Sequence, residues 1–346
     1  MKRILFITYQ DYANVSSSMA KAINSSMRDW GAAVFSCTSH PFGYPHAPDL
    51  VFDSADIYEK RDAKEWLKDG VDVLVWAEEA PSPQHYYSFY SEGGEFADAM
   101  LFGMKDRLFD KAKTFIFHAG VAYRYQSVEY NRLDSEFFDG QIVSPDLWRI
   151  SNGLKGIPLF GKPMGYYGSH RLARDPGVVR FCHSPTNKSH KGTAIIDAAM
   201  DRVSCLRADI VYDHVGGPYH EGKHLPFDEV RRVRSGYDVY IDQFSLVGGV
   251  GMSSLEAMGE GLVSMCSTQM IPEEVWEMCG IYSKDCPLIQ LSGPTGDDEV
   301  DKRYLERKII EVANSFTPYQ GRRSRDWVCH HMDESLKAQM FIESLI

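Results

Sequence analysis

The sequence predicts an α/β fold of two doubly wound, Rossmann-like parallel-sheet domains. Its apolar segments are continuous rather than alternating, so the strands they form are buried on both faces. Each is separated from the next by residues with helical periodicity. The alternation also runs twice, interrupted once by a stretch rich in glycine, proline and tyrosine over residues 153–177.

Residues 4–9 are an unbroken apolar and β-branched run, followed by a polar turn over residues 10–18 and then Met19, Ala20, Ile23, Met27 and Trp30 at helical spacing, closed by Gly31. Residues 33–38, 71–77, 114–118 and 141–143 read as further strands, with helical stretches between them, notably residues 95–113. After the interruption the reading resumes with strands at 178–183, 209–215, 237–242, 263–267 and 288–291. Helices are expected at 191–203, 227–234, 253–260 and 272–279, and two long helices, 298–314 and about 323–345, finish the chain. The expected organisation is a first Rossmann-like domain over residues 1–160, a connector over 161–177, a second domain over 178–322, and a final helix over 323–346 that packs back on the first domain.

At roughly 150 residues per domain, 346 residues suit two domains, each with its own core. A formal charge of -11 argues against a protein devoted to holding nucleic acid or an anionic membrane. No apolar run approaches the ~20 residues of a membrane span, and the run after Met1-Lys2-Arg3 is short for a signal peptide; the expected location is the cytoplasm. Seven cysteines without a C-x-x-C pair read as reduced, mostly buried thiols.

Ligands of doubly wound sheets bind at the carboxyl ends of the strands. After strand 178–183 comes HSPTNKSHKGT, which places two lysines and several hydroxyl and amide groups at a strand-to-helix turn whose N–H groups favour an anion. The second candidate is DQFSLVGGVGMSSLEAM, residues 242–258. Gly248, Gly249 and Gly251 there let the backbone approach a ligand, and Glu256 in the following helix suits a ribose diol or a dipole role. It satisfies neither the Walker pattern nor G-x-G-x-x-G.

Together these two segments resemble the carboxyl-terminal domain of GT-B glycosyltransferases, most nearly the retaining family of sucrose and glycogen synthases and bacterial sugar transferases (glycosyltransferase family 4-like). The resemblance is clearest over residues 178–270 and implies two domains facing across a cleft. It implies that Lys191 neutralises donor phosphates and takes part in catalysis, with Lys188 or Asn187 near the family's arginine. Gly249, Val250, Gly251, Met252 and Ser253 would line the donor, with Glu256 on the ribose. The first glutamate of the family's E-x7-E pair falls at Gly248 and is absent. In the first half, His118 in FHAGVAYR resembles a cleft histidine that touches the donor sugar, and Asp11, Ser16 and Glu78 are acceptor-side candidates.

The implied activity is transfer of a sugar from a nucleoside-diphosphate sugar to an acceptor hydroxyl, with retention, without metal, and with no cofactor beyond the donor substrate. The acceptor is left open among glycan, lipid-linked sugar, small molecule and modified nucleic acid, and the oligomeric state is also open. A nucleotide-sugar epimerase or hydrolase, and a non-catalytic sugar or nucleotide binder, are the alternatives. Arg322, Arg323 and Arg325 are the residues that a DNA-modifying variant would need as one patch. His214, His220 and His224 fit no zinc pattern, and no metal site is expected.

Overall fold

The computed structural model describes residues 1–40, 42–77, 95–118, 121–151, 155–165, 177–215, 225–246 and 248–346. The chain divides into two units: Met1–Pro163 with Met332–Ile346, and Met164–His331.

The first unit is built on a wholly parallel 7-stranded sheet in the order β3-β2-β1-β4-β5-β6-β7. Its strands are β1 (Lys2–Thr8), β2 (Trp30–Ser36), β3 (Leu50–Val51), β4 (Val73–Trp76), β5 (Lys113–His118), β6 (Gly140–Val143) and β7 (Lys155–Pro158). Alternate residues of β1 enter opposite cores. Leu5 and Ile7 pack with Phe35, Trp76 and Ile116, whereas Ile4 and Phe6 pack with Val34, Val75 and Phe115. The second of these cores is covered by α1 (Val15–Ser26) and by the last helix of the chain, Glu334–Leu345, whose Phe341 stacks on Phe6 at 5.8 Å. Burying an aromatic ring of this kind contributes about 2–3 kcal/mol. The final segment therefore belongs to the first unit.

Four local expectations are corrected. Ser16, Ser17 and Ser18 lie in the first turns of α1 rather than in a loop, because a carboxylate upstream lets the helix start early. The helix expected over 95–113 is two short ones, α3 (Glu95–Met100) and α4 (Lys105–Phe109), following α2 (Ile57–Lys68); Phe102 and Gly103, both at positive φ, break the ladder. Residues 155–158, assigned to the irregular stretch, form β7 beside β6. The helix expected over 323–345 is two, Pro318–His331 and Glu334–Leu345, the second capped by the Asp333 carboxylate.

The second unit holds a parallel 5-stranded sheet in the order β12-β11-β10-β8-β9. Its strands are β8 (Val179–His183), β9 (Ile210–His214), β10 (Val239–Gln243), β11 (Val263–Ser267) and β12 (Ile289–Leu291). In the first unit α5 (Val121–Phe137) follows β5, and a 3-10 helix, Pro145–Ile150, follows β6. In the second unit α6 (Lys188–Lys191) and α7 (Thr193–Leu206) follow β8, α8 (Phe227–Arg234) follows β9, and α9 (Met252–Gly259) follows β10. Chain order reverses between β8 and β10: the connection after β8 leads to β9 on one side, and the next strand, β10, pairs with β8 on the other. Such a reversal leaves the turns after both strands open at one sheet edge, where doubly wound folds bind ligands. The fold is thus the expected one in its two parallel sheets and covering helices.

Candidate functional site

At the reversal in the second unit, Lys191 and Asp242 meet. The Lys191 ammonium lies 2.7 Å from Asp242 Oδ1; the carboxylate is fully buried and the lysine side chain is 17% exposed. Asp242 owes its position to a break in the sheet. Pairing of β10 with β11 runs Ile241 to Met265 and then Gln243 to Cys266, leaving Asp242 as the extra residue of a bulge, a device that re-aims a side chain. Ser253 Oγ donates to Asp242 Oδ1 at 3.2 Å and Ser254 Oγ to Oδ2 at 3.0 Å. Burial alone would raise this carboxyl, but the Lys191 ammonium and the Ser254 hydroxyl hold it below its ordinary value. Asp242 thereby fixes where the ammonium sits. It also offsets that charge, so the pair supplies a placed donor rather than a strong field.

Two glycines let the backbone close around the pair. Gly192 has φ +68° and heads α7; a Cβ there would sit 1.9 Å from the Phe244 carbonyl oxygen, so only glycine fits. A Cβ at Gly251, which heads α9, would lie 2.3 Å from Asp242 Oδ2 and 3.1 Å from Lys191 Nζ. Both helices have glycine as the N-cap residue, which offers no capping side chain. Two sets of unsatisfied helical N–H groups and one ammonium thus converge at a single edge, a combination suited to phosphate.

The site is braced from below by His183, the last residue of β8, fully buried. Its Nδ1 lies 2.7 Å from the Ile241 carbonyl oxygen, which only accepts, so Nδ1 carries the proton and Nε2 accepts from Thr193 Oγ1 at 2.9 Å. This ties the start of α7 to β10. Burial pushes the imidazole down to about 4, so His183 is neutral. Gln243 Nε2 and Cys266 Sγ both donate to the Gly249 carbonyl, fixing the glycine loop.

The other expected donor residues divide. Asn187 is spent as a cap, accepting from the N–H groups of Ser189 and His190, and Lys188 is exposed in the one-turn helix it starts. Val250 and Met252 lie in the loop and first turn beside Gly251. Glu256 is 5% exposed and lies in the field of Arg234, a buried guanidinium that donates twice to Glu260 at 2.7 and 2.8 Å. Asp242, His183 and Thr193 lie within the two segments that the sequence singles out, but nothing in the sequence assigns them a role. The serines and Lys191 that converge on Asp242 come from separate segments, and only the S-S pair ahead of L-E-A-M hinted at a buried acceptor.

In the first unit the turn after β1 is arranged differently. Asp11, expected to face an acceptor, is 2% exposed, and its two oxygens accept from the N–H groups of Ser16 and Ser17 at 2.9 Å each. The carboxylate is therefore the cap of α1, and Ser16 is buried in the helix it starts. Lys162 donates to the Ala13 carbonyl at 2.5 Å and lies over the Tyr44 ring at 4.9 Å. His118, at the end of β5, is fully buried, with Nε2 2.7 Å from Asp134 Oδ2 and its ring stacked on Tyr123 at 3.9 Å. Glu78 lies outside the described residues, as do His220 and His224. Among the described residues no cluster of three or more His, Cys, Asp or Glu side chains is placed to hold a metal ion, and no helix is long and apolar enough to cross a membrane.

No protein-family model and no curated protein matches the sequence. Solved structures do resemble it. A glycosyltransferase from Rickettsia africae is 9% identical with a TM-score of 0.57, covering 99% of this chain and 98% of that one. A UDP-N-acetylglucosamine 2-epimerase, so named as putative, from Listeria monocytogenes is 11% identical with a TM-score of 0.52, covering 99% and 95%. The pneumococcal O-GlcNAc transferase GtfA, solved with UDP and GlcNAc, is 12% identical with a TM-score of 0.51 over 83% of this chain, which spans 59% of that protein's length. At these identities the likeness establishes the fold, and the fold is that of the GT-B class.

Proposed function

We propose that this chain is a glycosyltransferase that moves a sugar from a nucleoside diphosphate to an acceptor hydroxyl, with retention and without a metal ion. The observation that carries the proposal is the convergence of Lys191 and two uncapped helix starts on one edge of the second unit's sheet. In the transfer the bond between the anomeric carbon and the phosphate oxygen breaks, with its electrons passing to the diphosphate. The acceptor oxygen bonds to that carbon and passes its proton to the departing diphosphate oxygen. The costly event is growth of negative charge on the leaving diphosphate. The first-turn N–H groups that follow Gly192 and Gly251, and the ammonium held by Asp242, are placed to stabilise it without reorganising. The neighbours named as transferases, and the UDP in the pneumococcal protein, support the donor class. His118, held by Asp134, is the residue of the first unit assigned to the reaction. A cytoplasmic location belongs to the same proposal.

The test is calorimetric binding of UDP, GDP, ADP and CDP, and of their glucose conjugates, to the wild type and to a Lys191→Met/Asp242→Asn double variant. The double replacement removes both charges together, because deleting lysine alone would strand a buried carboxylate at a cost of about 3–5 kcal/mol. The expected outcome is a loss of at least tenfold in diphosphate affinity; unchanged binding would sink the site. Transfer that persists in excess chelator is the expected result for metal independence. For His118→Ala, turnover is expected to fall far more than nucleotide affinity. Glu256→Gln separates two roles: lost nucleotide affinity marks a ribose contact, and lost stability alone marks a counter-charge for Arg234.

A second reading is favoured by the epimerase-named neighbour, which this chain matches over nearly its whole length. Conversion of the sugar on a nucleotide donor incubated with no acceptor would establish it in place of transfer.

A further inference from the structure

Gln269 follows β11, beside the glycine loop, and its side chain is held in a slot made by two glycines. A Cβ at Gly248 would lie 2.6 Å from the Gln269 Cδ and Oε1 atoms, and one at Gly293 would lie 2.0 Å from Nε2. Neither glycine has the positive φ that makes glycine necessary for backbone reasons. The room each leaves is occupied by the Gln269 carboxamide. Nε2 donates to the Ser245 carbonyl at 3.0 Å, which fixes the amide in one orientation. The residue is nevertheless exposed. Immobilising a long polar side chain at the surface costs on the order of 1–2 kcal/mol of rotamer entropy, and one neutral hydrogen bond in contact with water barely offsets that.

The slot adjoins the candidate site. Gly248 starts the loop that ends at Gly251 over Lys191, and β11, which Gln269 follows, is the neighbour of β10 on the side away from β8. A ligand whose diphosphate rests at Gly251 and Lys191 reaches the carboxamide by following this loop.

We infer that Gln269 is a specificity-determining residue of the donor site: its fixed carboxamide, cradled by Gly248 and Gly293, hydrogen-bonds the hydroxyls of the sugar that the nucleoside diphosphate carries. The inference rests on the proposed donor site. A carboxamide offers an acceptor and a second N–H without a charge, which matches neutral hydroxyls, and it adds no repulsion toward the adjacent diphosphate as a carboxylate would.

Three variants test it: Gln269→Ala, Gly248→Ala, whose Cβ expels the carboxamide, and the two combined. The diphosphate of the UDP, GDP, ADP and CDP panel that binds the wild type most tightly is compared with its glucose conjugate by calorimetry, with turnover of the conjugate read in parallel. In both single variants the conjugate is expected to lose about tenfold in affinity or turnover. The bare diphosphate should change less than twofold, and the double variant should be no worse than either single one, because both act through one group. Gln269→Ala replaces an exposed side chain and is read even if Gly248→Ala fails to fold. If Gln269→Ala leaves both affinity and turnover of the conjugate unchanged relative to the bare diphosphate, or if the losses multiply in the double variant, the role of Gln269 is overturned and the donor site stands. If no diphosphate binds the wild type, the donor site falls and this role with it.

Discussion

The two units solve the same local problem in opposite ways. Each has a first strand that runs into a turn and then a helix, and each helix begins with N–H groups lacking intrahelical partners. In the first unit Asp11 reaches back and accepts from Ser16 and Ser17, so the positive end of α1 is closed by the chain's own carboxylate. In the second unit the one-turn α6 is capped by Asn187, but α7, which starts directly after it at Gly192, has no such cap, and the nearby carboxylate, Asp242, is turned to Lys191 and two serines instead. A helix start that caps itself has spent its affinity for anions. One left open keeps it, and of these two turns the second unit's is the one to which the proposed donor site is assigned.

The largest effect expected from breaking this contrast is at Gly192. Alanine there meets a disfavoured φ and a Cβ 1.9 Å from the Phe244 carbonyl oxygen, so the β8 turn must move. A loss of roughly 3 kcal/mol in stability is expected, together with loss of diphosphate binding. Thermal unfolding and calorimetry on Gly192→Ala check both. Retained affinity would show that the open helix start is not where the ligand sits.

The next effect comes from His183, the brace under that turn. Its folded value is about 4 against about 6.5 for an unhindered histidine, so it is neutral in the fold, and the unfolded chain binds the extra proton between these values. Its contribution is therefore fully present above pH 6.5 and is lost as pH falls from 6.5 toward 4, by up to about 3 kcal/mol. His183→Gln can keep both hydrogen bonds without titrating. Stability of this variant measured against pH is expected to lack that part of the slope; identical curves would remove His183 as the cause.

Much of the contrast was legible in the sequence, and the reason the rest was not is physical. Unbroken apolar runs specified the parallel sheets, since burial on both faces leaves no alternation to confuse with a helix. The K-G-T start of α7 was visible because a helix start is a local event. Asp242 was not visible as a ligand of Lys191, because the two lie 51 residues apart and meet only through the pairing of β8 with β10. The bulge that aims Asp242 depends on register with β11, which no local pattern encodes. Asp11 shows the converse failure: a lone carboxylate in a turn looks the same whether it faces a ligand or its own helix, and the distinction lies in which N–H groups it reaches. Gln269 left no signal, since its slot is made by glycines from two other loops.

The smallest expected effect sharpens the comparison from the other side. Asp11→Ala opens the start of α1, leaving the N–H groups of Ser16 and Ser17 without the carboxylate and the helix dipole without its counter-charge. Caps of this kind contribute about 1–2 kcal/mol, and the buried position of Asp11 favours the upper end. Because the cap serves only α1, the first unit should unfold at lower temperature while diphosphate affinity, which belongs to the second unit, changes less than twofold. The variant also asks whether closure of that helix start is what keeps anions away. With Asp11 gone, α1 has open N–H groups like those of α7, but the ammonium beside it, Lys162, is turned to the Ala13 carbonyl and is not placed at the helix start by a carboxylate as Lys191 is by Asp242. Titration of Asp11→Ala with inorganic phosphate is therefore expected to show no new site. A phosphate that bound there would mean that an open helix start suffices, and that the Lys191–Asp242 pair is not what distinguishes the second unit.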